Sequence, residues 1–291
     1  MVDFSKLKNS LNNLEALSKK VSETASGGAT SSQNNVDERF WQPSVDSVGN
    51  GTAVIRFLPA APVDGDDGTP WVQTFTHGFQ GPNGWFIDDC LTTIGSKCPV
   101  CAHNSTLWNS GIEANKEIVR KQKRKLNYIS NILVVSDPAN PQNEGQVKLF
   151  KYGKKIFDKI NEKMNPEFDD ETPMNPFDFW NGANFKLKIR KVEGYRNYDK
   201  SEFASESELF GGDDAKLEAL WKKEYSLKEF LYPKHFKSYD VLKAKLDKVL
   251  GLDGAAPVSK TKAVDDGFVP KTSPDLDDDE ELDYFKSLAE D

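Results

Sequence analysis

The chain has 291 residues and a formal net charge of −8, with 37% hydrophobic and 29% charged residues. This length allows one large domain or two ordinary ones, and the composition is typical of a globular protein with one apolar core. No run approaches about 18 apolar residues, and the N-terminus lacks the apolar segment of a secretory signal, so we expect neither a membrane span nor export from a reducing cytoplasm.

The charge is distributed unevenly along the chain. Residues 263–291 contain 11 acidic and 2 basic residues, which gives this segment a net charge of −9. The other 262 residues carry 36 basic and 35 acidic groups. Within them, residues 116–159 contain 11 basic and 4 acidic residues, a net charge of +7. A basic stretch and an acidic tail in one chain predict a polyanion-binding surface with a competing segment of its own.

The N-terminal residues predict an amphipathic helix followed by a flexible linker. Apolar residues recur every three or four positions between Phe4 and Val21, with lysines on the flanks. A lone helix of this length is marginal in water, so its apolar stripe needs either the protein's own core or another copy. Residues 22–38 are mostly small and polar, as in a linker. The hypothesis is a self-association arm at residues 1–21 that acts through Lys6, Leu7, Lys8 and Leu11.

Between residues 39 and 250 the pattern predicts a folded core. Runs of β-branched and aromatic residues bounded by turn residues predict strands at 52–58, 71–79, 85–87, 126–135, 147–152 and 185–192. Helical periodicity with start and stop signals predicts helices at 154–164, 214–225 and 238–250. At least five short strands with helices gathered at the end predict an α+β fold built on a small β-barrel.

The residues after the core form a linker and an acidic tail. Residues 251–274 are rich in Gly, Ala, Pro and Ser. In the tail beyond them, leucines and aromatic residues stand among the acids, either as a solvated disordered segment or as a docking peptide that folds on a partner. The acidic cluster of this tail is Asp277, Asp278, Asp279, Glu280 and Glu281.

All three cysteines lie close together after a histidine, at His77, Cys90, Cys98 and Cys101. Three thiolates and one imidazole make a closed tetrahedral set, which suits one structural Zn²⁺ and leaves no position for water. Two alternatives remain open, namely three buried thiols with a surface histidine and a redox Cys-x-x-Cys. Three cysteines are an odd number and too few for a disulfide framework.

The motifs of common enzyme classes are missing from the sequence. It has no phosphate-binding G-x-x-x-x-G-K-[ST] loop, no dinucleotide G-x-G-x-x-G after a strand and no H-E-x-x-H. The zinc deaminase pattern H-x-E is not met at His77, which is followed by Gly78 and Phe79. We therefore predict a protein that is not an enzyme.

Basic and aromatic residues alternate in three stretches downstream of the cysteines. Single-stranded nucleic acid requires this combination, because cations follow the phosphates and aromatic faces stack on unpaired bases at about 1–3 kcal/mol each. For any single residue the alternative is a core aromatic or a solvated lysine. The predicted contacts in the first two stretches are Lys116, Arg120, Lys121, Lys123, Arg124, Lys125, Tyr128, Phe150, Lys151, Tyr152, Lys154 and Lys155. In the third stretch, Tyr195 and Tyr198 follow a strand with Lys186, Lys188 and Arg190.

Several strings together resemble one family, the single-stranded DNA-binding (helix-destabilising) proteins of T-even-type bacteriophages. The strings include GNGTAVIRFLP (49–59), HGF…CPVC (77–101), KRKLNYISNILVVSDPANPQNEG (123–145), YGKKIFDKI (152–160) and GYRNYD (194–199). The resemblance implies an OB-fold, a five-stranded β-barrel, with peripheral helices and a zinc-binding subdomain at about residues 71–115. It also implies that His77, Cys90, Cys98 and Cys101 are the zinc ligands.

The resemblance extends to function and partners. It implies a DNA cleft, and it adds Arg56, Trp108 and Phe86 to the predicted DNA contacts. Phe86 lies at a position where the family commonly has tyrosine. It implies head-to-tail self-association through the N-terminal arm, and binding of phage replication and recombination proteins by the tail at residues 251–291. The chain departs from the family at Ile118 and Ile129, which replace cleft tyrosines, and residues 200–250 match poorly.

The sequence therefore predicts a protein that coats single-stranded DNA cooperatively and with little sequence preference. It would protect that strand during phage replication, recombination and repair, in the cytoplasm of an infected bacterium. The alternative is a zinc-containing transcription or RNA-binding regulator that reads a specific sequence. A coating protein would rank oligonucleotides of equal length by flexibility and stacking, whereas a regulator would prefer one sequence strongly.

Overall fold

The computed structural model describes residues 37–168 and 170–252. The predicted arm, almost all of the first linker, and the acidic tail lie outside the described residues. Within them the chain forms nine β-strands and five α-helices. The strands are β1 Phe40–Trp41, β2 Gly51–Phe57, β3 Val72–Gly81, β4 Gly84–Asp89, β5 Lys125–Ser136, β6 Val147–Tyr152, β7 Ala183–Val192, β8 Tyr195–Asn197 and β9 Glu202–Glu206. The helices are α1 Pro99–Asn109, α2 Glu113–Gln122, α3 Lys154–Met164, α4 Asp214–Trp221 and α5 Tyr239–Leu250.

Strand β5 is the centre of the sheet. Its first part pairs with β3, from Lys125 to Ile129, and its second part pairs with β2. Along its other edge it pairs with β6. The order β1-β6-β5-β2-β7-β8 is extended by β3 and β4 beside β5 and by β9 beside β7. Only the β1–β6 pair is parallel among these described strands. The predicted α+β class is confirmed.

The main core fills one face of this sheet with aromatic rings. Phe57 is fully buried and meets Tyr152, Phe177 and Phe185 at ring-centroid distances of 5.6, 5.7 and 5.8 Å. Helix α3 covers this cluster because Ile156, Phe157, Ile160 and Met164 recur at helical spacing on one side. Rings at edge-to-face and tilted angles each contribute about 0.5–1.5 kcal/mol beyond their buried area.

A second core joins the β3–β4 hairpin to the cysteines and to α5. It contains Phe79, Phe86, all three cysteines, and the inner face of α5 at Leu242, Leu246 and Val249. Helix α5 begins at an N-cap serine, Ser238, and ends at a left-handed Gly251 with φ of 69°. The hairpin turn caps that end, because Asn83 donates its amide to Val249 O at 3.0 Å and its side-chain nitrogen to Lys248 O at 3.1 Å.

A buried carboxylate fixes α5 to the hairpin. The Asp88 side chain is 2% exposed and forms ion pairs with Lys237 and Lys245, which precede and lie within α5. Two cations around one buried carboxylate compensate its desolvation, and removal of either partner would leave buried charge uncompensated. The segment between residues 71 and 122 is therefore packed together with α5. The sequence predicted the helix α5 but not this contact.

The six predicted strands are confirmed, and each of their ends lies within two residues of its predicted position. The helix predicted at 154–164 is confirmed at both ends. The prediction that the helices gather at the end was wrong, because α1 and α2 lie between β4 and β5. The helix predicted to reach Tyr225 ends at Trp221. Beyond that end, the Asn131 side chain satisfies the backbone of Tyr225. It accepts a hydrogen bond from the Tyr225 amide at 3.0 Å and donates one to the Tyr225 carbonyl at 2.8 Å.

Among the described residues no helix is long and apolar enough to cross a membrane. The longest of the five, α5, has 12 residues.

Burial of Glu224 predicts a pH-dependent stability. This side chain is 7% exposed, and no described residue forms a hydrogen bond with either carboxylate oxygen. Burial, together with the nearby charge of Asp64, raises the pKa of Glu224 well above its ordinary value of 4.5. The folded state therefore retains a proton that the unfolded state releases, so stability falls as pH rises from the unfolded pKa towards the folded one.

We expect Glu224→Gln to remove this loss, since an amide of the same shape carries no charge to bury. The melting temperature of the variant should exceed that of the wild type by an amount that grows as the pH rises above the unfolded glutamate pKa of about 4.3. Glu206→Gln, at an exposed position of β9, controls for the substitution itself. A difference between Glu224→Gln and wild type that stays constant with pH would contradict the assignment.

Candidate metal centre and nucleic-acid interface

His77, Cys90, Cys98 and Cys101 converge on one point in the second core. Their ligand atoms all lie within 4.8 Å of one another, and all four residues are buried. Cys90 Sγ lies 3.5 Å from Cys101 Sγ. His77 Nε2 lies 3.5 Å from Cys101 Sγ and 3.7 Å from Cys98 Sγ.

These distances fit a tetrahedral metal ion. Metal–sulfur bonds of about 2.3 Å and metal–nitrogen bonds of about 2.0 Å set the ligand atoms of a tetrahedron roughly 3.5–3.8 Å apart. A disulfide would need a sulfur–sulfur distance of about 2.05 Å, and all three cysteines are free thiols. The four protein ligands fill the tetrahedron, so the geometry favours a structural site over a redox pair or isolated thiols.

Three separate elements deliver the ligands. His77 points inward from β3, and Cys90 follows the end of β4, paired across the hairpin. Cys98 is the N-cap of α1, Pro99 is its first residue, and Cys101 lies in its first turn. Proline suits this first helical position because its missing amide hydrogen would have no partner there. A thiolate at a helix N-terminus is also favoured by the helix dipole.

The electrostatics of the thiols favour binding of a divalent cation. Hydrogen bonds from Cys101 and Cys90, with a further contribution from His77, lower the pKa of Cys98 below the usual thiol value. The pKa of Cys101 is raised by Cys90, by Cys98 and by burial. One thiol therefore ionises easily and then opposes ionisation of its neighbour. A cation of charge +2 removes this opposition, which allows all three thiolates to exist together.

Groups around the ligands connect the metal centre to the start of β5. His77 Nδ1 lies 3.0 Å from the carbonyl oxygen of Gln122, so this ring nitrogen carries the proton and Nε2 faces the metal. Cys90 Sγ lies 3.0 Å from Thr92 Oγ1. Arg124 Nη1 in turn donates to Thr92 Oγ1 at 2.6 Å. The guanidinium carbon of Arg124 lies 3.9 Å from the centre of the Phe75 ring.

The basic segment, defined as residues 116–125, begins in α2 and ends at the first residue of β5. It contains six of the predicted cations, Lys116, Arg120, Lys121, Lys123, Arg124 and Lys125. Lys116 and Arg120 lie 5.7 and 5.9 Å from the centre of the Trp108 ring on α1, so the predicted Trp108 joins this surface. Glu113 and Glu117 pair with these cations at the helix surface, where such pairs contribute little to stability.

Five predicted DNA contacts are buried, and the structure does not place them on a surface. Arg56 is fully buried, burial lowers its pKa to about 10, and its Nη2 donates to the carbonyls of Asp178 and Ser207 at 2.8 and 2.9 Å. Each of the four rings is packed against another aromatic ring: Phe86 on Phe79, Tyr128 on Phe157, Phe150 on Trp41 and Tyr152 on Phe57. These five side chains belong to the packed core of this structure, and their DNA contacts stay predictions.

The basic strand at 185–192 is also less basic than the sequence suggested. Lys188 Nζ lies 2.7 Å from a carboxylate oxygen of Glu202, and Arg190 Nη2 lies 2.6 Å from one of Asp199. The carboxylates come from β9 and from the turn after β8, which fold back along β7. Sequence periodicity cannot show such partners, because they belong to neighbouring strands.

The remaining predicted contacts are accessible to different degrees. Tyr195 is 44% exposed, Lys121 and Lys151 are exposed, and Lys123, Arg124 and Lys125 are half-buried. Lys154 and Lys155 are half-buried at the start of α3, where Lys154 pairs with Asp158. Tyr198 is half-buried against the main core.

Sequence reasoning missed Phe75 and Thr92 as parts of this surface. Phe75 lies two residues before His77 and therefore shares its face of β3, a signal that strand alternation contains. Thr92 lies two residues after Cys90, but its contact with Arg124 crosses 32 positions of sequence. No local pattern predicts that contact.

Comparison with known proteins gives a consistent result. Residues 49–250 match the model of the family described as gp32 DNA binding protein like. The single-stranded DNA-binding proteins of Enterobacteria phages T2 and T4 are each 39% identical to this chain over 250 residues. These alignments cover 83% of this chain and 78% and 79% of the two relatives. The single-stranded DNA-binding protein of Enterobacteria phage RB70 is 38% identical over 96 residues, 32% of this chain and 76% of that relative.

The matched region contains the complete metal cluster and the whole basic segment. These relatives are named for binding rather than for catalysis, in agreement with the predicted absence of enzyme activity. This chain is therefore a member of the gp32 DNA binding protein like family, because residues 49–250 match the family model and the T2 and T4 proteins are 39% identical to it over most of both chains.

Proposed function

We propose that this chain binds single-stranded DNA with little sequence preference and coats it cooperatively during phage replication, recombination and repair. It would act in the cytoplasm of an infected bacterium. The observation that carries the proposal is membership of a family whose relatives are named for binding single-stranded DNA. The basic segment supports it, since six cations lie within ten residues that run from α2 through a short connection into β5.

In this proposal the basic segment binds the phosphates. Trp108 and Phe75 carry cations over their rings, while Tyr195 is exposed for stacking on a base. Stacking contributes about 1–3 kcal/mol per base and is tolerant of sequence, because every base has an aromatic face. Duplex DNA offers no unstacked base, so the protein would favour the single strand and shift melting equilibria by mass action.

The metal would be one structural Zn²⁺ held by His77, Cys90, Cys98 and Cys101. Zinc accepts three thiolates and an imidazole in a closed tetrahedron, and bound there it would supply a cross-link among β3, the β4 end and α1. The sheet around β5 would be an OB-fold barrel, with the subdomain at about residues 71–115 and α5 packed on it.

The segments outside the described residues complete the proposed organisation. Residues 1–21 would form the arm for head-to-tail self-association, with Lys6, Leu7, Lys8 and Leu11 as its contacts, and residues 22–38 its linker. Residues 39–250 would form the DNA-binding core. Residues 251–291, with a net charge of −9 from residue 263 onward, would bind replication and recombination proteins and compete with DNA for the basic segment.

A salt titration on matched single-stranded and duplex oligonucleotides tests the DNA-binding proposal. We expect cooperative binding to poly(dT), much weaker binding to duplex, and a linear fall of log K with log salt of roughly 0.7 per phosphate neutralised. Lys123→Gln should reduce that slope by roughly 0.7. Lys222→Gln, at the exposed residue that directly follows α4, should leave the slope unchanged. Equal affinity for duplex, a slope near zero, or one strongly preferred sequence would contradict the proposal, and the last would favour a sequence-reading regulator.

Truncation after Val264 tests competition by the acidic tail. The truncated protein should bind poly(dT) more tightly than the full chain at low salt, because it lacks the competing carboxylates. The difference should shrink as salt screens the charges. A full-length variant with Asp277, Asp278, Asp279, Glu280 and Glu281 changed to their amides should behave in the same direction. Unchanged affinity in both proteins at low salt would refute the competition.

A further inference from the structure

The metal centre and the basic segment are joined by a continuous chain of side-chain hydrogen bonds. Cys90 Sγ and Thr92 Oγ1 are 3.0 Å apart, and Arg124 Nη1 and Thr92 Oγ1 are 2.6 Å apart. Cys90 is fully buried, whereas Thr92 and Arg124 are half-buried. A single hydroxyl therefore bridges a metal ligand and a cation of the proposed DNA surface.

The chemistry of the three groups fixes the direction of both hydrogen bonds. A guanidinium can only donate, and a metal-bound thiolate can only accept. The threonine hydroxyl has one proton and two lone pairs, so it accepts from Arg124 and donates to Cys90. Valine has the same shape as threonine but can do neither. The link therefore depends on this hydroxyl, and its direction is that of a Cys90 bound to the metal.

Charge complementarity strengthens the link. One divalent ion with three thiolates and a neutral imidazole carries a net charge of −1, in a core that excludes water. The guanidinium of Arg124 brings +1 to within one hydroxyl of that cluster. Charge-assisted hydrogen bonds of this kind are stronger than neutral ones. The Phe75 ring, 3.9 Å away, covers one face of the guanidinium and restricts its orientation further.

A second connection holds the backbone of the same segment. His77 Nδ1 donates to the carbonyl of Gln122 at 3.0 Å, two residues before Arg124. Two of the four candidate ligands are thus connected to the stretch that runs from α2 into β5, His77 directly and Cys90 through Thr92. The other two, Cys98 and Cys101, belong to α1, which packs against α2.

We propose that Thr92 is a positioning residue for DNA binding, which holds the Arg124 guanidinium in the direction that a phosphate requires and couples it to the occupied metal centre. This inference rests on the proposed function. It assigns Thr92 an effect on DNA that is exerted through Arg124, without direct contact. The basic segment is then held in one conformation only when the metal is bound, and retention of the metal in turn depends on Arg124.

A double-mutant cycle on poly(dT) binding tests the coupling. Thr92→Val should weaken binding about tenfold, the magnitude expected for loss of one charge-assisted hydrogen bond. Thr92→Ser, which keeps the hydroxyl, should recover most of the loss. In an Arg124→Ala background Thr92→Val should cause no further loss, because its effect requires the guanidinium. Thr106→Val, which removes a hydroxyl bonded only to its own helix, is the matched control.

The outcomes separate this inference from the proposed function. Simple addition of the two losses, or wild-type affinity of Thr92→Val beside a weakened Arg124→Ala, would overturn the positioning role and leave the DNA-binding proposal standing. A wild-type protein with no preference for single strands would instead defeat the proposed function.

Metal release without DNA gives an independent readout, followed with a colorimetric chelator. Thr92→Val and Arg124→Ala should both release metal about tenfold faster than wild type and Thr106→Val, as second-shell losses do. If Thr92→Val does not fold, the rate of metal release from Arg124→Ala alone tests the coupling, because this variant leaves all four ligands in place. Release at the wild-type rate from Arg124→Ala would refute the coupling.

Discussion

The convergence of His77, Cys90, Cys98 and Cys101 is the constraint that joins the β3–β4 hairpin to the start of α1. Strand pairing already brings β3 and β4 together, and the four side chains add α1 to that pair. Three neighbouring thiolates repel one another unless a cation neutralises them. A metal ion at this cluster would therefore stabilise the second core, which α5 covers on another side.

The metal centre also explains where the basic segment lies. The stretch from α2 into β5 is contacted by one ligand through the Gln122 carbonyl and by another through Thr92 and Arg124. Cations held this way lose less freedom when they bind phosphate than cations on flexible side chains would. In the proposed function, a metal bound at this cluster would act on DNA only indirectly, by fixing the position of the Arg124 charge.

Local pattern was enough to predict most of the sheet and the ligand set. The continuous run of apolar and aromatic residues at 126–135 and the capping signals of α5 predict those elements closely, because a strand buried on both faces and a capped helix each carry a local signal. Helices α1 and α2 were missed, since the apolar residues of α2 include the adjacent pair Ile118 and Val119, which makes no stripe. The burial of Arg56, Tyr128 and Tyr152 could not be predicted, because composition cannot tell a stacking platform from a core ring. Ion pairs across β7 and the Thr92 bridge depend on tertiary contacts that no single stretch encodes.

Hydrogen exchange of the full chain before and after metal removal tests the central claim most directly. Removal should accelerate exchange of the amides in residues 75–92 and 113–128, where the metal ligands or their hydrogen-bond partners hold the backbone. Strands β2 and β7 should keep their protection, because the aromatic core around Phe57 does not involve the metal. Unchanged exchange in the basic segment, or equal loss of protection throughout the sheet, would contradict the account.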